Sequence, residues 1–304
     1  IRVLPVLACL ASLATSWSRG QVDVVMLAAL SLAIYLAVHR REVSAGIFLS
    51  VPAAIKLFPA LLLLFPVWRA RWRMVAGAVL GLFLTFVLLP VVTFGPGRTV
   101  ELYQTWRHVL IEPAFGQGTD SSRALELTQM SLRDNQSLLS FIHNLRYHHL
   151  SRDHRPPGAP LAWRMAVGFL GAVILLGIGV VSGLRRRDSP PQILILCGLL
   201  IGLAMLVTPV VHHCYYLLLL PLLSALIDHK LPEVVASIRD LRLPTVVTFF
   251  MLTDMLVRIP QIGFWLRDGG VPLLTLVSLM TAGALLLWRQ RGAEPQRRKS
   301  EAFT

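Results

Sequence analysis

Apolar stretches long enough to cross or nearly cross a bilayer recur along almost the whole chain, at 1–17, 22–38, 44–67, 74–95, 161–184, 191–209, 212–228, 244–262 and 271–288. A hydrocarbon core of about 30 Å takes roughly 20 apolar residues per helix. In lipid every backbone N–H and C=O must be bonded within the protein, so only helices and closed barrels span. These runs lack the alternation of a barrel strand. The fold class that follows is an all-α polytopic membrane protein. With 55% hydrophobic and 15% charged residues, too little polar surface remains to coat a soluble globule, for which about 25% charged is usual. Disordered, collagen-like and disulfide-framework architectures are excluded on the same reading, and a solenoid because no period of 20–50 residues repeats. Cys9, Cys197 and Cys214 sit inside apolar runs and read as small hydrophobes. The chain opens at Ile1 inside an apolar run without a signal-peptide pattern, and the expectation is an N-terminally truncated sequence.

The net charge of +13 raises a nucleic-acid partner, but the positions of the charges dismiss it. Basic clusters fall between spans, at Arg40-Arg41, at Arg69, Arg71 and Arg73, at Arg185-Arg186-Arg187, at Lys230 with Arg239 and Arg242, and in the tail. Short cytoplasmic loops carry such excesses. If every run crossed, the first two clusters would lie on opposite faces. The conflict vanishes if 44–67, interrupted by Pro52 and Pro59, enters and leaves on one side, because proline breaks helices. A re-entrant helical hairpin is therefore predicted, with Lys56-Leu57-Phe58-Pro59 at its apex. Two half-helices of about 12 residues would rise roughly 18 Å, near the bilayer's middle. Every cluster then becomes cytoplasmic. Trp17, Trp163 and Trp265 mark outer span ends and Trp68, Trp72 and Trp288 inner ones, as an aromatic belt does. The predicted organisation is a transmembrane domain over 1–289 with an outer loop at 96–160, then a basic cytoplasmic tail at 290–304.

Polar groups gather on the outer side: Gly20-Gln21-Val22-Asp23, Lys56 at the apex, Asp134-Asn135-Gln136-Ser137-Leu138-Leu139 in the long loop, and Thr208-Pro209 with His212-His213. Four such stretches on one face point to a shared cleft. Each has a plainer alternative. Gln21 and Asp23 fit a helix N-terminus, where a carboxylate offsets the dipole. Lys56 could snorkel from an ordinary span, although an ionisable group in a membrane segment is by default functional. Asn135-Gln136-Ser137 is formally a glycosylation sequon, and the two histidines could be interfacial. His143, His148, His149 and His154 crowd one loop but lack the spacing of a zinc site. Amphipathic stretches at 99–109, 125–132 and 138–145 predict short surface helices.

In order and spacing, Gly20-Gln21-Val22-Asp23, Ala54-Ile55-Lys56-Leu57-Phe58-Pro59 with the arginines after it, Asn135-Gln136-Ser137-Leu138, and Thr208-Pro209 with His212-His213 resemble glycosyltransferase family 87. The resemblance covers nearly the whole chain. It implies the GT-C multi-helix fold and a bacterial, plasma-membrane α-mannosyltransferase that takes its sugar from polyprenyl-phosphate-mannose and works on the outer face. Asp23 stands where the family usually has asparagine. The family's catalytic aspartate lies in the first outer loop, and the resemblance gives no residue here that role; Asp23 and Asp134 are the fallback carboxylates.

Chemistry then distributes expected roles. Loss of the sugar leaves a phosphate whose growing charge a pre-placed cation stabilises in a low-dielectric site. Lys56, His212 and His213 are the candidates for donor phosphate. Gln21, Asn135 and Gln136 are candidates for sugar hydroxyls, since amides both donate and accept. The acceptor hydroxyl needs a general base, typically a carboxylate. A monophosphate donor lacks the pyrophosphate that most often recruits a divalent ion, so neither metal nor cofactor is expected. The expected partners are the polyprenyl-phosphate-sugar lipid, a glycan or glycolipid acceptor and membrane lipid. The rivals are a lipid-linked sugar transporter or flippase, which would show paired interrupted helices where only one is evident, and a non-catalytic scaffold.

Overall fold

A computed structural model of the chain describes residues 4–112, 130, 135–151, 154–156, 158–183, 188–234, 242–257 and 259–301. The described residues are helical, with no strand among them. Four helical stretches are long and apolar enough to cross a membrane: Trp72–Phe94, Leu161–Ser182, Pro190–Val207 and Val271–Arg289. Shorter apolar helices cover Asp23–Val38, Glu42–Ile55, Phe58–Trp68 and His213–Ile227. The chain is an all-α polytopic membrane protein.

The first half sets direction. Helices α1 (Leu4–Ala8) and α2 (Leu10–Ser18) lead to a turn at Gly20, and α3 (Asp23–Val38) runs back. It ends in a turn with Arg40 at φ 62°, closed by Arg41 N–H donating to the Leu36 carbonyl at 2.9 Å. Helix α4 (Glu42–Ile55) follows, then a 3-10 segment (Phe58–Leu63) and α5 (Leu64–Trp68). The turn after α5 repeats the first, with Ala70 at φ 50° and Arg71 N–H on the Pro66 carbonyl at 2.9 Å. Both are helix stops that favour a left-handed residue, usually glycine. The next helix is continuous over Trp72–Phe94, as α6 (Trp72–Phe83), a π turn (Leu84–Leu88) and α7 (Leu89–Phe94).

Three glycines fix how α4 and α6 meet. A Cβ on Gly46 would strike the Met74 carbonyl, one on Gly77 the Val43 carbonyl, and one on Gly81 the Ser50 side chain and Ile47 backbone. Rising numbers on one helix meet rising numbers on the other, so α4 and α6 run parallel. The segment between them must return to the level where α4 began. The predicted hairpin is present in this sense, and Arg41 and Arg71 lie at one end of the bundle, where Arg71 also donates to the Ala37 carbonyl at 3.4 Å. Its apex differs from the expectation. With Ser50 level with Gly81, Lys56 sits opposite about residue 87, roughly two thirds of the way along the long helix and about 10 Å short of its end. The reason is length: α4 has 14 residues and α3 has 16, so the apex reaches the start of α3.

At Gly95, φ 79°, the chain folds back into α8 (Pro96–Trp106). Pro90 has no N–H for the Phe86 carbonyl; the helix loosens there into the π turn and the Tyr103 hydroxyl donates to that carbonyl. The loop contributes α9 (Leu138–Arg146); the amphipathic stretch expected at 125–132 lies, apart from Met130, outside the described residues. Helix α10 (Leu161–Ser182) descends, and Arg69, whose side chain is almost fully buried, pairs with Asp188 at 2.7 Å and donates to the Gly183 carbonyl. This places the α10 end at the same arginine-bearing end. Helix α11 (Pro190–Val207) returns through the centre with 72% of its apolar window buried, against 17% for Trp72–Phe94 and 28% for α10, two surfaces suited to lipid. A 3-10 segment (His213–Leu219) and α12 (Leu220–Val234) descend, and α13 (Arg242–Leu256) rises.

The span expected as one piece at 244–262 is not one. Helix α13 stops at Leu256, and the direction changes by 118° before Gln261–Asp268 in α14 (Pro260–Asp268). Pro260 lacks an N–H and pushes Ile259 into extended backbone, φ −70° and ψ 118°, which ends the helix. The chain therefore holds a second interrupted segment, contrary to the expectation of one. Helix α15 (Val271–Glu301) closes the bundle and continues unbroken through the residues expected as a separate tail.

Candidate functional site

The site is built where α3 begins and α4 breaks. Gly20, at φ 60°, turns the chain so that Asp23 opens α3, where a carboxylate meets unbonded N–H groups. Lys56 leaves the helix in extended backbone, φ −136° and ψ 138°, three residues before Pro59. Asp23 is fully buried, and its Oδ1 lies 2.6 Å from Lys56 Nζ, whose side chain is 18% exposed. The two sequence candidates thus meet as one ion pair. Among the described residues Asp23 Oδ2 has no oxygen or nitrogen hydrogen-bond partner. Removing either charge would strand the other in low dielectric.

Tyr215 covers the ammonium. Its ring centroid lies 3.9 Å from Lys56 Nζ, within cation–π range. Phe58 stacks on Tyr215 at 5.1 Å and His212 meets it edge-on at 5.5 Å. The spacing of these rings comes from the 3-10 segment, in which side chains at i and i+3 eclipse. One consequence is that His212 with Tyr215 and His213 with Tyr216, stacked at 5.8 Å, form two separate ring pairs. The adjacent histidines do not act as a pair. His212 joins Lys56 through Tyr215, while His213 Nε2 lies 3.1 Å from the Asp254 carboxylate.

The long loop is bolted to this segment by backbone contacts. Asn135 Nδ2 donates to the Pro209 carbonyl at 3.0 Å, and its Oδ1 accepts from Val211 N–H and Ser137 N–H, each at 3.1 Å. Ser137 Oγ donates to the same Pro209 carbonyl at 2.8 Å, and Gln136 N–H to the Val211 carbonyl at 2.7 Å. Asn135 and Gln136 are buried. The Asn135 carbonyl is saturated by two donors, so its evident work is joining loop to turn. Gln21 is exposed at the same end of the bundle. Asp134 lies outside the described residues.

The loop histidines do not converge. His143 is buried and its titration is lowered, chiefly by desolvation; His148 bonds the Leu145 carbonyl and His154 bonds Ser151. Among the described residues no three His, Cys, Asp or Glu side chains are grouped to hold a metal. Sequence reasoning missed Tyr215, Ser12 and Asp254, and placed Phe58 at the apex without giving its ring a role. Asp254 carried a signal, being a carboxylate inside an apolar run.

The profile of glycosyltransferase family 87 matches residues 1–209, which include Asp23, Lys56 and Asn135. The chain belongs to glycosyltransferase family 87. It is accordingly a multi-pass membrane glycosyltransferase. The family match ends at Pro209, so His212, His213, Tyr215, Tyr216 and Asp254 fall beyond it. No curated protein and no solved structure was found to match.

Proposed function

We propose that this glycosyltransferase moves a hexose, mannose, with inversion from a polyprenyl-phosphate-sugar to a glycan or lipid-linked acceptor. The reaction is assigned to the bundle end opposite Arg41 and Arg71, which is the outer face of a bacterial plasma membrane if the basic end is cytoplasmic. The observation that carries this reading is Lys56, a cation at a helix break about two thirds of the way through the bundle. A lipid monophosphate presents its charge at such a depth, below the aqueous end yet within reach of the lipid.

Lys56 and His212 take the donor phosphate, and Tyr215 forms the wall between them. His213 supports that wall from the other face. Asn135, with Gln136, holds the loop against the turn, and Gln21 is left to meet sugar hydroxyls. Asp23 is the counter-ion that Lys56 exchanges for phosphate. It is ill placed as general base, because inversion requires attack from the sugar face opposite the leaving group and Asp23 touches the leaving-group cation. Asp134, next to the anchored Asn135, is the carboxylate proposed for proton abstraction. No metal or cofactor takes part in this scheme.

The second interrupted segment, at α13–α14, keeps a lipid-linked sugar flippase in view, since transporters pair such helices. Family membership favours transfer. Purified protein in nanodiscs given radiolabelled polyprenyl-phosphate-mannose and an acceptor glycolipid should form labelled product and release polyprenyl phosphate. Movement of the donor between leaflets without product would reverse the assignment.

A further inference from the structure

The carboxylate of Asp254 is 2% exposed, in a part of the chain that the family match does not reach. Its Oδ2 accepts the backbone N–H of Ala11 at 2.9 Å and of Ser12 at 3.1 Å. Its Oδ1 accepts the Ser12 hydroxyl and lies 3.1 Å from His213 Nε2. Ala11 and Ser12 are the second and third residues of α2, whose N–H groups a helix start leaves without intrahelical partners. Cys9, at the cap position, makes no side-chain capping bond. Asp254 supplies from α13 the oxygen that an N-cap residue normally provides, and the helix end offsets its charge.

Capping alone would need only one of the two oxygens. The second takes the Ser12 hydroxyl and also faces His213 Nε2. With Asp254 ionised it can only accept, and the imidazole then presents Nε2–H to it. Tyr216 stacks on the His213 ring and Phe250 lies beyond Tyr216 at 6.3 Å. We infer that Asp254 is a positioning residue for the transfer site: through His213 it anchors the 3-10 turn whose other face carries His212 and Tyr215 over Lys56. Its bearing on donor binding rests on the reading of Lys56 as the phosphate site. The hydrogen-bonded pair itself does not.

The test uses the full chain in detergent with Asp254→Asn, His213→Gln and the double variant. Nitrogen-15 histidine spectra should show an Nε2–H signal that disappears in His213→Gln and shifts or vanishes in Asp254→Asn. Farnesyl phosphate, a short polyprenyl monophosphate, is the binding probe. Each single variant should weaken its binding about tenfold, the loss expected for one hydrogen bond to a charged group. The double variant should be no weaker than either single one, because the two residues act as a unit. Melting of Asp254→Asn should stay near wild type, since an amide oxygen still accepts from Ala11 and Ser12. Multiplying losses, or lowered melting with unchanged binding, would reduce Asp254 to a structural cap and overturn the proposal. If the unaltered chain binds no farnesyl phosphate, the Lys56 reading fails, while an Nε2–H signal indifferent to Asp254→Asn would by itself refute the pairing.

Discussion

Asp23 and Lys56 stand 33 residues apart in sequence and 2.6 Å apart in space, one opening α3 and the other ending α4. The cation proposed for the donor is already neutralised. An anionic headgroup must therefore compete with a buried carboxylate, and the strength of that competition tunes affinity.

Asp23→Asn removes the competitor and keeps the shape. Polyprenyl phosphate should bind about tenfold more tightly, equivalent to about 1.4 kcal/mol. Titration in nanodiscs measures this, and weaker binding would mean that Asp23 itself orders the site.

The parallel contact of α4 and α6 leaves no room for a side chain at Gly77. Gly77→Leu should destabilise by at least the roughly 1–3 kcal/mol usual for overpacking, because the obstacle is the Val43 backbone. Thermal unfolding in detergent reads it, and Gly97→Leu, where a Cβ meets no atom of the described residues within 4 Å, serves as the tolerant control.

Single cysteines introduced beside Arg41 and beside Arg71 should react with an impermeant maleimide from the same side of the membrane, and one at Gln21 from the other. Cys9, Cys197 and Cys214 are buried, so their background should be low. Labelling of the two arginine turns from opposite sides would contradict the return of 58–68.

Asn135→Ala should lower thermal stability, because it takes the acceptor from Val211 N–H and Ser137 N–H in a buried joint, where each unsatisfied group costs about 1–3 kcal/mol. Ser137→Ala should cost less, since Pro209 keeps its bond to Asn135.

Much of this was legible in the sequence for identifiable reasons. Apolar run length gave the helical membrane class, and the Arg40-Arg41 and Arg71 clusters with Pro52 and Pro59 gave the hairpin. Its depth was not legible, because depth depends on the glycine register between α4 and α6. The stops at Arg40 and Ala70 carry no glycine to announce them. Pro260 did announce the end of α13, but the apolar run through 244–262 outweighed it. At the site, Lys56 and Asp23 were visible singly as polar groups in apolar surroundings. Their pairing is a tertiary fact. His212 and His213 read as a unit because they are neighbours, whereas the 3-10 geometry pairs each with the tyrosine three residues on.

The most direct test is the sugar-transfer rate of Lys56→Met, measured together with Asp23→Asn/Lys56→Met, which leaves no buried carboxylate unpaired. The account predicts that the double variant folds and that both variants transfer about 100- to 1000-fold more slowly than wild type, the loss typical for one group that stabilises transition-state charge. Near-wild-type transfer by the well-folded double variant would contradict the assignment of Lys56 to the donor phosphate.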